Sequence, residues 1–237
     1  MSLQVLQSTA QVDESRRVMQ RRGLSAIDTR LDRLMRRFGL LRNLAVGDRK
    51  KSWDVLLALL LIEQRIAKTE PVADIGCFSS EVLIALHMNG YQNLTGIDLN
   101  PALKDMPLSH AIRYQISDFM HTPFDAGAFT AITAISVIEH GFRPAELLAE
   151  VSRLLRPGGI FFASFDYWPD KIDTKGKRFF GMDWLIFSRR DIEDFIAIAA
   201  KYGLQPTGEL DFRAADKVIE CAGMSYTFAA LALTKRV

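Results

Sequence analysis

In the first 70 positions, hydrophobic residues recur at three- and four-residue steps. Leu24, Ile27, Leu31, Leu34, Met35, Phe38 and Leu41 form one such stripe, the mark of an amphipathic helix. Ser25 followed by Asp28 predicts a capping box at its start. Arg30, Arg33 and Arg37 fall off the stripe and give the helix a basic face. A second helix is predicted over 52–68. Its apolar run is too wide for a surface helix and implies burial on more than one side. Residues 1–20 are polar and predict little fixed structure.

From Pro71 the period changes. "PVADIG", "LTGIDLN", "IRYQISDF", "AFTAITAISVIEH" and "GIFFASFDYW" are short apolar runs, each read as a buried strand. Between them lie helical patterns: "SSEVLIALHMNG" closed by Gly90, and "PAELLAEVSRLLRPGG" with Pro144 near its start. "SRRDIEDFIAIAAKYGL" is a further helix with Ser188 at its cap. "GELDF" and "MSYTFAALALTK" close the chain with no helix between them, which predicts an antiparallel hairpin at a sheet edge. Buried strands alternating with helices mean an α/β, doubly wound, mostly parallel sheet.

Composition narrows the setting. The 237 residues suffice for one α/β domain with an appendage. Net charge is +2, but residues 1–70 hold 14 Lys/Arg against 8 Asp/Glu, and the remainder is acidic. A solvated helix face is the ordinary meaning of such a basic arm. Cys77 and Cys221 are the two cysteines, so no disulfide framework is expected. With no clustered Cys/His, no metal site is expected. The longest purely apolar run, Val55 to Ile62, is far short of the roughly 20 residues of a spanning helix. A cytoplasmic location is expected.

Ligands of open α/β sheets sit beyond the carboxyl ends of the strands. Five successive strand ends carry acidic residues: Asp74 with Gly76, Asp98, Asp118, Glu139 with His140, and Asp166. A dinucleotide loop needs glycines where this chain has Phe78 and Glu81, and there is no phosphate-binding lysine motif. Phosphate ligands are therefore disfavoured. S-adenosylmethionine, which has no phosphate, fits better. Asp98 suits its ribose diol, Leu99 its adenine face, and Asp118 its adenine amine. A helix N-terminus near Ser79 suits its carboxylate.

Five of these segments, "VADIGCFSSEV", "LTGIDLN", "ISDF", "AFTAITAISVIEH" and "RLLRPGGIFF", resemble in order and spacing the motifs of class I S-adenosylmethionine-dependent methyltransferases. The resemblance covers about 53–237, leaving 1–52 as a basic helical extension and 166–188 as a substrate-side insert. It is most like the small-molecule branch. It implies a Rossmann-like seven-stranded sheet with an antiparallel last strand. It also implies that Asp74, Gly76, Cys77, Phe78 and Ser79 form the first cofactor loop. Asp98 and Leu99 would hold ribose and adenine, Asp118 and Phe119 would frame the adenine, and Ser136 and Val137 would line the cofactor's open side. The departure lies at Phe78 and Ser80, where family members usually have glycine. Phe78 would crowd the methionine end if its backbone needed positive φ.

Methyl transfer is an in-line displacement, and a hydroxyl acceptor gains from a general base. His140 is the first candidate, with Asp166 and Tyr167 next. The Ser-Val-Ile-Glu-His run lacks the Asn/Asp-Pro-Pro-aromatic motif of base amine methylation and the cysteine of cytosine methylation. The small net charge also argues against nucleic acid. Asp166, Asp170 and Asp173 could mimic the carboxylate cluster of the metal-dependent catechol branch, but the residues between them argue against it. The insert mixes Trp168, Phe179, Phe180 and Trp184 with Lys171, Lys175, Lys177 and Arg178. That mixture suits a sugar ring or an anionic acceptor, and its resemblance to inserts of methyltransferases linked to glycan synthesis implies a small-molecule or saccharide acceptor there; the same aromatics packed under the loop are the other reading. The N-terminal helices are expected to cover the acceptor site, join a homodimer or touch a membrane surface. A non-catalytic binding or regulatory protein that keeps the fold is the alternative function.

Overall fold

The computed structural model describes residues 2–40, 44–141 and 143–236, with the backbone alone at Arg30. Leu41, the last residue of the N-terminal stripe, lies outside them. The elements run β1 (Leu3–Val5), α1 (Thr9–Arg21), α2 (Arg30–Arg37), α3 (Ser52–Arg65), β2 (Val72–Ile75), α4 (Val82–Met88), β3 (Leu94–Asp98) and β4 (Ile112–Ile116). They continue with β5 (Phe129–Ile135), α5 (Pro144–Leu154), β6 (Leu155–Tyr167), β7 (Arg178–Phe179), β8 (Met182–Asp183), α6 (Arg189–Lys201), β9 (Leu204–Pro206), β10 (Ile219–Cys221) and β11 (Met224–Lys235).

The main sheet has the order β1-β11-β6-β5-β2-β3-β4. β4, β3, β2, β5 and β6 run parallel, and β11 returns antiparallel beside β6. Chain order therefore reverses between β2 and β5, which opens a crevice beyond their carboxyl ends. The outer position next to β11 is shared by three short strands, β1, β9 and β10, brought from distant parts of the chain.

Two core layers follow from the alternation of strand side chains. Ala73, Ile132, Phe161 and Phe165 pack beneath α5 and α6. Val72, Leu94, Ala131 and Ile160 pack beneath α3 and α4. Each fully buried Leu, Ile or Phe contributes roughly 1.5–3 kcal/mol, which makes both layers necessary to the fold.

The N-terminal region differs from expectation in three ways. Residues 2–20 are ordered: β1 pairs with Leu231, Ala230 and Ala229 of β11, and α1 buries Val12, Arg16 and Met19. The edge of β11 supplies the backbone partners that a polar segment lacks by itself. The second difference is the start of the amphipathic helix, which lies at Thr29, not Ser25. Thr29 accepts from the Asp32 N–H, and the Asp32 carboxylate accepts from the Thr29 N–H. Third, position 52/53, the expected boundary of the extension, falls in the first turn of α3 and not between elements. At the other end, 208–212 is not a strand; the last hairpin is β10 with β11, and β11 is not the sheet edge.

Candidate active site

The first loop leaves β2 at Gly76, whose φ is +67°. A Cβ there would lie 2.3 Å from Val137 Cγ2, so only glycine fits. The Phe78 N–H donates to Asp98 Oδ2 at 2.9 Å, and the Asn100 N–H donates to Oδ1 at 2.9 Å. One carboxylate thus ties the loop to the end of β3. Each oxygen keeps a second lone pair for a ligand. The left-handed residue is Ser79, at φ +62°, and not Phe78. Phe78 packs against the α3/α4 core layer, so it adopts an ordinary backbone and does not crowd the loop. Cys77 packs over Gly96 beside Tyr114 and is almost wholly buried. Only its backbone belongs to the loop, and burial pushes its thiol pKa up, with Asp74 and Asp98 adding to the effect.

Asp74 lies under the loop. Its Oδ1 accepts from Thr133 Oγ1 at 2.6 Å, while buried Oδ2 has no partner among the described residues. Burial pushes its pKa up to about 7, against the pull of the Thr133 and Ser80 hydroxyls. Leu99 is 57% exposed beside Asp98. Asp118 accepts from the Met120 N–H at 2.9 Å, and Phe119 packs against the α5/α6 layer.

The loop is clasped from outside. Glu81, which follows it, accepts from the Arg16 guanidinium through both oxygens and from the Ala26 N–H at 3.1 Å. The Gly47 N–H donates to the Ser79 carbonyl at 2.8 Å, and Ser79 Oγ donates to the Ala45 carbonyl at 3.2 Å. Nothing in the sequence pattern linked Arg16 to Glu81, because long-range ion pairs leave no periodic trace.

Beyond the ends of β5 and β6 lies a buried polar cluster that the sequence pattern largely concealed. Ser136 is left-handed, at φ +52°, and accepts from Lys51 Nζ. That ammonium also lies 3.5 Å over the Phe228 ring. Asp54, one turn along α3, accepts from Ser164 Oγ at 2.8 Å and is fully buried. Burial pushes its pKa up to about 6, with Lys51 pulling it back. Asp166 accepts from Trp184 Nε1 at 2.7 Å and shares its carboxyl with the Tyr226 hydroxyl. Glu139 is buried, with no partner at Oε2 among the described residues. Burial, reinforced by Asp166, holds its pKa well above the carboxylate range. One ammonium thus faces three buried carboxyls. The legible signal was Lys51 and Asp54, three residues apart at the head of an otherwise apolar helix.

His140 borders this cluster. Its ring stands edge-on to Phe179 and Phe180, with centroids 5.9 and 5.6 Å away. Burial lowers its pKa to about 4, helped by the Lys51 charge, and Nδ1 has no partner among the described residues. Tyr167 is elsewhere. Strand alternation turns it to the α5/α6 face, where its hydroxyl donates to the Phe212 carbonyl at 2.8 Å. It is therefore removed from the catalytic candidates. The insert's aromatics also turn inward: Trp184 is buried, and Trp168 and Phe179 pack against its cluster, leaving Phe180 exposed. The ring platform expected for a sugar is spent on packing. Among the described residues, no group of three or more His, Cys, Asp or Glu is placed to hold a metal ion.

Residues 73–163 match a family described as a methyltransferase domain. Residues 73–163 thus form a methyltransferase domain. The match runs from the start of the Asp74 loop through the Glu139–His140 turn into β6. Over 113 residues the chain is 34% identical to a ubiquinone biosynthesis O-methyltransferase of Coxiella burnetii, covering 45% of this chain and 48% of that protein. Over 93 residues it is 31% identical to the cycloartenol-C-24-methyltransferase of Arabidopsis thaliana, covering 39% and 27%. The chain thus spans about half or less of the curated relatives' length. A geranyl diphosphate methyltransferase solved with S-adenosylmethionine superposes with a TM-score of 0.59, at 17% identity, over 78% of this chain and 86% of that one. The [4+2]-cyclase SpnF superposes with a TM-score of 0.60, at 15% identity, over 81% and 84%. These two likenesses concern the methyltransferase domain's fold alone.

Proposed function

We propose that the chain transfers a methyl group from S-adenosylmethionine to a hydroxyl of a small-molecule acceptor. The observation that carries this reading is the bond from the Phe78 N–H to Asp98. It holds the Gly76–Ser79 loop and the end of β3 facing one crevice, with Leu99 exposed beside them. The cradle fits the cofactor: Gly76 leaves no room for a side chain, and Asp74 Oδ2 is a buried acceptor without a partner among the described residues. Asp98 would take the ribose diol, Leu99, Asp118 and Phe119 the adenine, and the backbone of 76–79 the methionine end. Ser136 and Val137 would line the side open to the acceptor.

Bound S-adenosylmethionine supplies an electrophilic methyl on a sulfonium. The acceptor hydroxyl would be held in line with that methyl, and His140 would take the proton that the hydroxyl gives up. His140 is neutral at ordinary pH with an unpartnered Nδ1, so it can accept that proton, though its lowered pKa makes it a weak base. Asp166 positions Trp184 and Tyr226 behind it. A saccharide acceptor has less support, since Trp184 and Phe179 pack inward. The relatives named for ubiquinone biosynthesis and for cycloartenol favour an apolar small molecule. Two free cysteines suit a reducing, cytoplasmic setting.

Calorimetric titration with S-adenosylmethionine, followed by transfer of labelled methyl to a panel of phenols and alcohols, tests the reading. Saturable binding and labelled product are expected. No heat at millimolar cofactor would overturn it and favour the non-catalytic alternative.

A further inference from the structure

Helix α2 carries its apolar face outward. Leu31 is 62% exposed, Leu34 50% and Phe38 70%, and Leu40 just beyond the helix is 73% exposed. Leu31, Leu34, Met35 and Phe38 stand at i, i+3, i+4 and i+7, so they form one stripe. An amphipathic helix on a globular protein normally turns that stripe to the core. Single exposed leucines need no explanation, but a contiguous stripe does. The helix is fixed to the molecule by another side. Arg36 donates to the Asp28 carboxylate at 2.5 and 3.2 Å and to the Leu44 carbonyl at 3.2 Å. The Thr29–Asp32 capping box sets its start. Without such anchors eight residues would not hold a helix. Arg37 lies beside the stripe and Arg33 further round the same side of the helix; both are exposed, and no ion pair joins either to another described residue.

We propose that α2 is an interfacial helix that docks this protein on an anionic lipid surface. Leu31, Leu34, Phe38 and Leu40 enter the acyl boundary, and Arg33 and Arg37 meet the lipid phosphates. Charge decides between occupants. A second copy packed antiparallel, stripe to stripe, would set the two Arg37 side chains close together, whereas an anionic headgroup layer complements them. The attachment is peripheral, since no helix among the described residues is long and apolar enough to cross a membrane. The same segment clasps the first loop: the Leu44 N–H donates to the Asp105 carbonyl at 3.3 Å, and Gly47 holds Ser79. Docking there sets the cofactor crevice near the lipid. The proposal stands on α2 alone and does not depend on the methyl-transfer reading.

Flotation of the full chain with vesicles tests it without cofactor. Binding to phosphatidylglycerol/phosphatidylcholine vesicles is expected, with little on phosphatidylcholine alone and less at high salt. Leu34→Asp with Phe38→Asp, and separately Arg33→Glu with Arg37→Glu, should each weaken binding about tenfold or more. Both double variants should keep the wild-type melting transition. The charge-reversal pair touches no apolar contact and decides the matter should the first pair misfold. Absence of binding to the anionic vesicles, or wild-type binding by the charge-reversal variant, overturns the proposal. A dimer in light scattering that the Leu34/Phe38 pair abolishes overturns it in favour of a second copy.

Discussion

Arg16 and Glu81, 65 residues apart, form a buried bidentate ion pair at the base of the first loop. Arg16 is 5% exposed and Glu81 1%. Removing one partner leaves a buried charge unpaired, which costs roughly 3–5 kcal/mol. Arg16→Met should therefore lower stability by about that much, read as a urea midpoint. Arg16→Met with Glu81→Leu should recover most of the loss. A double variant no better than the single would show that the pair is not desolvated.

Gly76→Ala places a methyl within 2.3 Å of Val137 Cγ2, at a φ of +67°. The loop must shift to admit it. Cofactor affinity should fall at least about a hundredfold, and stability by about 1–3 kcal/mol. Calorimetry and thermal melts read the two effects. Normal affinity would mean that the loop is softer than its packing implies.

Asp98→Ala removes the acceptor for the Phe78 and Asn100 N–H groups and the proposed ribose ligand together. Asp98→Asn keeps one acceptor oxygen. The alanine variant should lose cofactor binding, with the asparagine variant between it and wild type. Equal affinity for all three would remove Asp98 from the site.

Asp74 titrates near pH 7 in the folded chain and near 3.8 when unfolded. The folded state therefore holds the proton more tightly. Its contribution is fully present below pH about 4 and is lost as pH rises through 7. The span amounts to roughly 4 kcal/mol. Asp74→Asn should therefore gain on wild type between pH 4 and pH 8, measured in urea without cofactor. An equal difference at both pH values would contradict the buried, protonated carboxyl.

His140, with its pKa lowered to about 4, is neutral through the usual assay range. As the proton acceptor it should give a kcat/KM that rises through pH 4 and is level from about 5.5 upward. His140→Ala should lower kcat roughly 10²–10⁴-fold while cofactor affinity holds. An inflection near 6.5 would point to a solvated histidine instead.

Much of the sheet was legible because buried strands and their connecting helices announce themselves by period. The runs at 72–75, 94–98, 112–116 and 129–135 became β2, β3, β4 and β5. Asp166 and Tyr167 could have been separated on the same grounds. Adjacent strand residues face opposite layers, and Ser164 and Asp166 share the face of Asp54 while Phe165 and Tyr167 share that of α6. The cap at Thr29 was harder, since Ser25–Asp28 and Thr29–Asp32 offer the same spacing. Backbone geometry favours the second, where both reciprocal bonds form.

Local order thus settled the α/β alternation, the glycine turn at 76 and the acidic strand ends, because each depends on residues a few positions apart. The tertiary structure decided what closes around them. The edge strand at Leu3–Val5 needs β11, and the clasp on the loop needs Arg16. The Lys51 ammonium reaches Ser136 across 85 positions. Such contacts join surfaces that meet only after the layers pack, and residue spacing carries no record of them.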